Sequence, residues 1–251
     1  YPGSTLGGEV ETIRKCARNQ LQGWGGSTAA VAEGVNLPQL QVFELPFMFR
    51  SEAEVDFVMD SMFEPMSGVL EAKGFVLAYW HVNGWHNFAT KNKVIHTPDD
   101  LREMKMRSQE SPVHLAMFKA LGVQALSMPV PEVLGALQTN MVDGFSNTPL
   151  FTGATGWYEG IEYFTITHHI YQPAAIIYNK DFYASLPPDL QAIGSGDRQA
   201  ETDHGRTTVR ALTPELLSMF RDEGITVYEM TPEERAVFQE LCADVPTQFH
   251  D

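Results

Sequence analysis

The chain has 251 residues, 43% of them hydrophobic and 20% charged, with a formal net charge of -15 at pH 7. That length allows one large domain or two ordinary ones, and no apolar run approaches the roughly 20 residues that a bilayer-spanning helix needs. So strong an acidic balance argues against nucleic-acid binding, because a phosphate backbone would be repelled.

The opening, "YPGSTLGGE", has no initiator methionine and no signal peptide, and is expected to belong to a mature or truncated fragment. Further along, Gly74–Val82 and Trp85–Thr90 read as strands, rich in aromatic and branched residues, with a break at Asn83-Gly84. A short helix is expected from Thr97 as N-cap, with Pro98 in the first turn and Asp99 and Asp100 favourable to the helix dipole. "KMRS" follows as a strand. Ser111 and Pro112 then open a helix whose apolar stripe is Val113, Ala116, Met117, Ala120 and Leu121, stopped by Gly122.

The pattern repeats with a strand over Val123–Pro129, a helix opened by Pro131 and a strand over Val142–Phe145. This alternation predicts a parallel sheet with crossover helices. Gln172–Asn179 reads as a further buried strand, and the segment from Asp181 to Ile193 as helix interrupted at Pro187-Pro188. The tail from Pro214 to Cys242 reads as helix, strand and helix.

In open parallel sheets, ligands bind beyond the carboxyl ends of the strands. Arg107 occupies such an end and Asn147 the comparable position after "VDGFS". A guanidinium there can hold a carboxylate through two parallel hydrogen bonds, which lysine cannot imitate. Internal pairing of Arg107 with Glu110, Asp99, Asp100 or Asp143 remains the alternative. No metalloprotease, phosphate-loop, dinucleotide or nucleophile-elbow motif is complete, and adjacent His168 and His169 make a poor metal pair. Neither cofactor nor metal is expected. Cys16 and Cys242 suit either one long-range disulfide or two free thiols. Aromatic residues flanking the strand ends, Trp24, Trp85 and Phe145 among them, suit a small-ligand pocket as well as ordinary core packing.

The run "TPDDLREMKMRSQESPVHLAMFKALGVQALSMPVPEVLGALQTNMVDGFSNTP", with "LPQLQVFELPFMFRSEAEV" before it and "YFTITHHIYQPAAIIYNKDFYASLPPDLQ" after it, resembles the solute-binding proteins of TRAP transporters, the DctP type. The resemblance spans about Tyr1 to Ile193. It implies an α/β, two-domain periplasmic binding-protein-like fold with crossing strands, a long interdomain helix and a ligand cleft between the domains. The implied division places 1–84 with about 173–212 in one domain, whose first strand and helix lie outside this sequence, and about 85–172 with 213–251 in the other.

It further implies a periplasmic monomer that binds a small organic acid without transforming it and delivers it to the membrane subunits of a TRAP transporter. Arg107 would form the bidentate salt bridge to the ligand carboxylate, with Asn147 beside it. His86 stands where many members carry a second arginine, and Phe145 alters a loop that is usually polar. With Trp24 and Trp85, these residues suggest a monocarboxylate with an apolar or aromatic body. Two other functions compete: an α/β enzyme using His86 or His169 as acid or base, and a sensor that reports occupancy to a partner.

Overall fold

The computed structural model describes residues 5–249; residues 1–4 and 250–251, included in the expected domains, lie outside the described residues. Helix α1 (Glu9–Ala17), strand β1 (Gly23–Ser27) and helices α2 (Thr28–Val35), α3 (Glu52–Ser61) and α4 (Phe63–Ala72) lead into the long strand β2 (Phe75–Thr90). Then come α5 (Pro98–Arg102), β3 (Lys105–Ser108), α6 (Pro112–Ala120), β4 (Gln124–Ser127), α7 (Val133–Gln138), β5 (Gly144–Asn147) and α8 (Pro149–Ala154). Strand β6 (Tyr163–Asn179) returns through the molecule, followed by α9 (Lys180–Ser185), α10 (Pro188–Ser195), α11 (Arg198–Asp222), β7 (Thr226–Glu229) and α12 (Pro232–Leu241).

All seven strands form one sheet in the order β1-β6-β2-β5-β3-β4, with β7 also on β6. The expected parallel pairing holds for β3 with β4 and β5, whereas β2 runs antiparallel to both β5 and β6. The expected break at Asn83-Gly84 is instead a bulge inside a continuous strand. The register slips between Val82 and Gly84, and Gly84 takes φ 100°, which a side chain would resist. Strand β6 is 17 residues long, about twice the expected segment, because its first half carries polar side chains that face inward rather than an apolar run.

Three apolar clusters divide the molecule into two lobes. One takes Ile13, Phe43, Trp80, Ile177 and Val209. The other two, around Phe88, Met106 and Phe118 and around Phe145, Trp157 and Phe220, belong to the second lobe. Strands β2 and β6 run through both lobes, and helix α11 spans them at the side. Read from sequence as the start of a helix, Pro214 lies inside this 25-residue one. Its missing N–H leaves the Arg210 carbonyl without its usual partner, a known cause of helix bending. Arg206 and Arg210 bind Asp56, Asp60 and Glu52 at 2.7–3.0 Å, fastening α11 to α3.

Cys16 and Cys242 are free, buried thiols in different clusters, so the disulfide alternative falls. Burial pushes the thiols up to about 11 and about 12 respectively. Dithiothreitol is therefore expected to leave the thermal midpoint unchanged, and a thiol reagent to label both residues only after unfolding; a midpoint lowered by reductant would contradict the pairing-free arrangement.

Candidate functional site

Arg107 is the next-to-last residue of β3 and is 2% exposed. Its Nε and Nη2 both donate to the Met128 carbonyl, at 3.0 and 2.8 Å, which fixes the plane of the guanidinium. Trp157 covers it from one face, 5.0 Å from ring centre to Cζ. Nη1 is buried with no hydrogen-bond partner. Among the described residues no carboxylate lies within ion-pair distance of Arg107. Asp99 binds Arg102, Asp100 binds Lys93 and caps α5, and Asp143 accepts from the Lys105 amide. Burial lowers the guanidinium pKa to about 10, opposed by the charges of Glu9 and Glu110.

The space before Arg107 is a cavity of about 10 Å³ walled by Glu9, Ser27, Gln109, Glu110 and Val130, enough for about one water. Beyond Glu110 it gives way to a basin of about 400 Å³ between α1 and α6, bordered by Arg14, Glu33, Ser111 and Leu115. The two lobes thus close on the guanidinium, and a ligand of several carbon atoms reaches it only if they part. Ser27 caps α2 by accepting from the Ala30 amide, and its own N–H and hydroxyl donate to Glu9 at 2.8 and 3.2 Å. The carboxyls of Glu9 and Glu110 both lie above the usual range, chiefly through burial.

At the floor of the cleft, the buried carboxylate of Glu44 joins the lobes. Oε1 accepts from the Thr28 hydroxyl and the Ala29 amide at 2.8 and 2.7 Å. Oε2 accepts from Gln109, His114 and Gln172 at 2.9–3.0 Å. Burial alone would raise this carboxyl; hydrogen bonding and charge from His114, then Gln172 and Thr28, hold it below its ordinary value.

The sequence-derived residues are not gathered in one place. Asn147 ends β5 opposite Asn87, buried, with Oδ1 accepting from the Thr148 amide. His86 is fully buried. Its Nδ1 shares the Ser146 hydroxyl with His169, while its Nε2 has no partner. Phe145, expected on the pocket wall, packs 5.0 Å from Trp157 in the core with no exposed surface. Trp24 is also a core residue, its Nε1 donating to Thr12. Trp85 lines a different and larger cavity. Sequence reading assigned no role to Glu9, Ser27, Gln109 or Glu44. Only Ser27, as an N-cap, carried a local signal.

Burial holds His86 and His169 well below the ordinary histidine value. The unfolded chain takes up these protons near pH 6.5 and the folded one does not. Stability is thus fully present above about 6.5 and falls as pH drops below it toward the lowered folded values, by up to about 1.4 kcal/mol per pH unit for each of these two buried histidines. Thermal midpoints measured across that window are expected to decline steadily; a flat profile would show that the rings are charged in the fold.

Two lobes sharing crossed strands and one long helix, with a guanidinium buried where they meet, define a solute-binding protein of the two-lobed type. The family model described as "Bacterial extracellular solute-binding protein, family 7" (DctP) matches residues 1–250, and the chain belongs to that family. The C4-dicarboxylate-binding periplasmic protein DctP of Rhodobacter capsulatus is 32% identical over 249 residues, which cover 98% of this chain and 74% of that protein. The sugar acid binding protein of Advenella mimigardefordensis, solved with galactonate, is 28% identical, with a TM-score of 0.90 over 98% of this chain and 79% of that one. A TRAP periplasmic solute-binding protein of Sulfitobacter with bound β-D-galacturonate is 26% identical, with a TM-score of 0.90 over 98% and 81%. Family members bind solutes for TRAP transport and are not enzymes.

Proposed function

We propose that this chain is a periplasmic, monomeric receptor for a small hydroxylated organic acid, anchored through its carboxylate by Arg107 and passed to the membrane subunits of a TRAP transporter. Binding of an organic acid and delivery to such a permease are the work of the family. The observation carrying the finer reading is the buried, partnerless Nη1 of Arg107, beside a cavity that Glu9, Ser27, Gln109 and Glu110 also line. Nη1 and the free edge of Nη2 form a fork that suits one carboxylate. Glu9, Ser27 and Glu110 offer acceptors to ligand hydroxyls.

The aromatic body expected from Phe145 and Trp24 finds less support, since both side chains are engaged in the core. The galactonate and galacturonate held by similar proteins agree with a hydroxylated acid. We assign residues 1–84 with about 173–212 to one lobe and about 85–172 with 213–251 to the other, in keeping with the apolar clusters.

A thermal-shift screen followed by calorimetry tests the reading. Galactonate or a similar hydroxy acid is expected to raise the midpoint and to be recovered unchanged. Tight binding of succinate or of aromatic monoacids alone would overturn the hydroxylated class.

A further inference from the structure

A cavity larger than the one before Arg107 lies away from it, and the family reading gives it no role. Its volume is about 510 Å³, and it opens between the crossing strands and α11. Trp85 forms an aromatic wall, edge-on to Tyr171 at 4.9 Å and tilted against His168 at 5.4 Å. Val209, Pro214 and Leu217 of α11 supply an apolar wall opposite.

Its polar groups are unevenly matched. Tyr171 is 2% exposed, and its buried hydroxyl lies beside the Arg210 guanidinium without a well-formed hydrogen bond to it. A buried hydroxyl without a good partner destabilises the fold, so it persists more readily where it has a ligand to serve. Arg50 and Arg210 face the cavity with Glu54, Glu52 and Asp56 as partners. Arg235 also faces it. Its Nε and Nη2 donate to the carbonyls of Thr167 and His168 at 3.0 Å, and its guanidinium lies 4.9 Å above the Phe47 ring. No carboxylate within ion-pair distance neutralises it among the described residues. His168 holds φ at 46°, its carbonyl accepting from that arginine and its backbone N–H donating to Asn87 Oδ1 at 3.1 Å.

We propose that this cavity is a second ligand site, selective for a small carboxylate with a flat apolar body. The ring would lie along Trp85, and the carboxylate would accept from the Tyr171 hydroxyl in the field of Arg235. Such a site absorbs Trp85, which the sequence marks as a ligand residue and the structure removes from the Arg107 cavity. Apolar walls with few placed donors are the usual composition of small-ligand pockets.

Phenylacetate is the probe. Calorimetric titration of the intact protein is expected to show binding that survives Arg107→Lys, which separates this site from the cleft. Tyr171→Phe removes only a hydroxyl that lacks a well-formed hydrogen bond, so it is expected to preserve the thermal midpoint while weakening phenylacetate by about fivefold or more. Arg235→Gln is expected to weaken it further, and Trp85→Ala to abolish it. Two results would overturn the proposal: no binding of phenylacetate by the wild-type chain, or binding that is lost with Arg107→Lys and indifferent to Tyr171→Phe. The hydroxylated-acid reading of the cleft fails or stands separately, because its own ligand responds to Arg107→Lys and not to Tyr171→Phe.

Discussion

Arg107→Lys is expected to weaken binding of the cleft acid by at least about 2 kcal/mol, roughly thirtyfold, with the loss falling mainly on the dissociation rate. Breaking a desolvated, hydrogen-bonded charge pair costs about 2–5 kcal/mol, much of it from the charge left without its partner. Lysine keeps the charge but cannot serve the Met128 carbonyl and a ligand carboxylate in one plane, as the guanidinium does. Calorimetry on the variant measures the loss, and its thermal midpoint shows whether the β3 end has stayed folded. A folded variant with unchanged affinity would make Arg107 a brace for the Met128 loop and nothing more.

Glu44→Leu is expected to destabilise the fold by about 3–5 kcal/mol, the usual cost of removing one partner from a buried charged network. Five donors converge on that carboxylate, and leucine would leave those of Gln109, His114 and Gln172 facing hydrocarbon. Denaturant unfolding measures the effect. Its pH dependence has a definite sign: the carboxyl lies below its ordinary value, so its contribution is complete above about pH 4.5 and fades as pH falls through the lower folded value. A loss under 1 kcal/mol would mean that Thr28, Gln109 and Gln172 find other partners when the carboxylate goes.

The segment from Thr97 to Asn147 was legible because its signals are local. Thr97 with Asp100 forms a capping box, Pro112 opens its helix, and the short strands lie within about two residues of where the sequence placed them. The long strands were not. The inward faces of β6 are held by Thr165, Thr167, His169 and Gln172, which look like surface residues until their partners from β2 and Glu44 are known. Arg107 could be found from its place at a strand end. Glu9 and Ser27, which share its cavity, come from about eighty or more positions upstream, and no periodicity links them to it. Phe145 was misleading for a related reason. It sits opposite Arg107 in the register, but Trp157, from beyond α8, covers both side chains.

Strand β1 pairs with the far end of β6, Gly23 against Tyr178 and Ser27 against Ala174. Roughly 150 positions separate these partners, so the pairing of β1 with β6 forms only when most of this chain has been made. Closing so long a loop brings no reward before the last pairing forms, which favours slow acquisition of structure and a prolonged exposed edge. A nascent chain cut before Ala174 would therefore leave β1 without its β6 partners, and neither lobe could be expressed as a contiguous stretch of sequence. The same crossing that brings Ser27 beside the arginine makes the receptor an all-or-nothing product of synthesis.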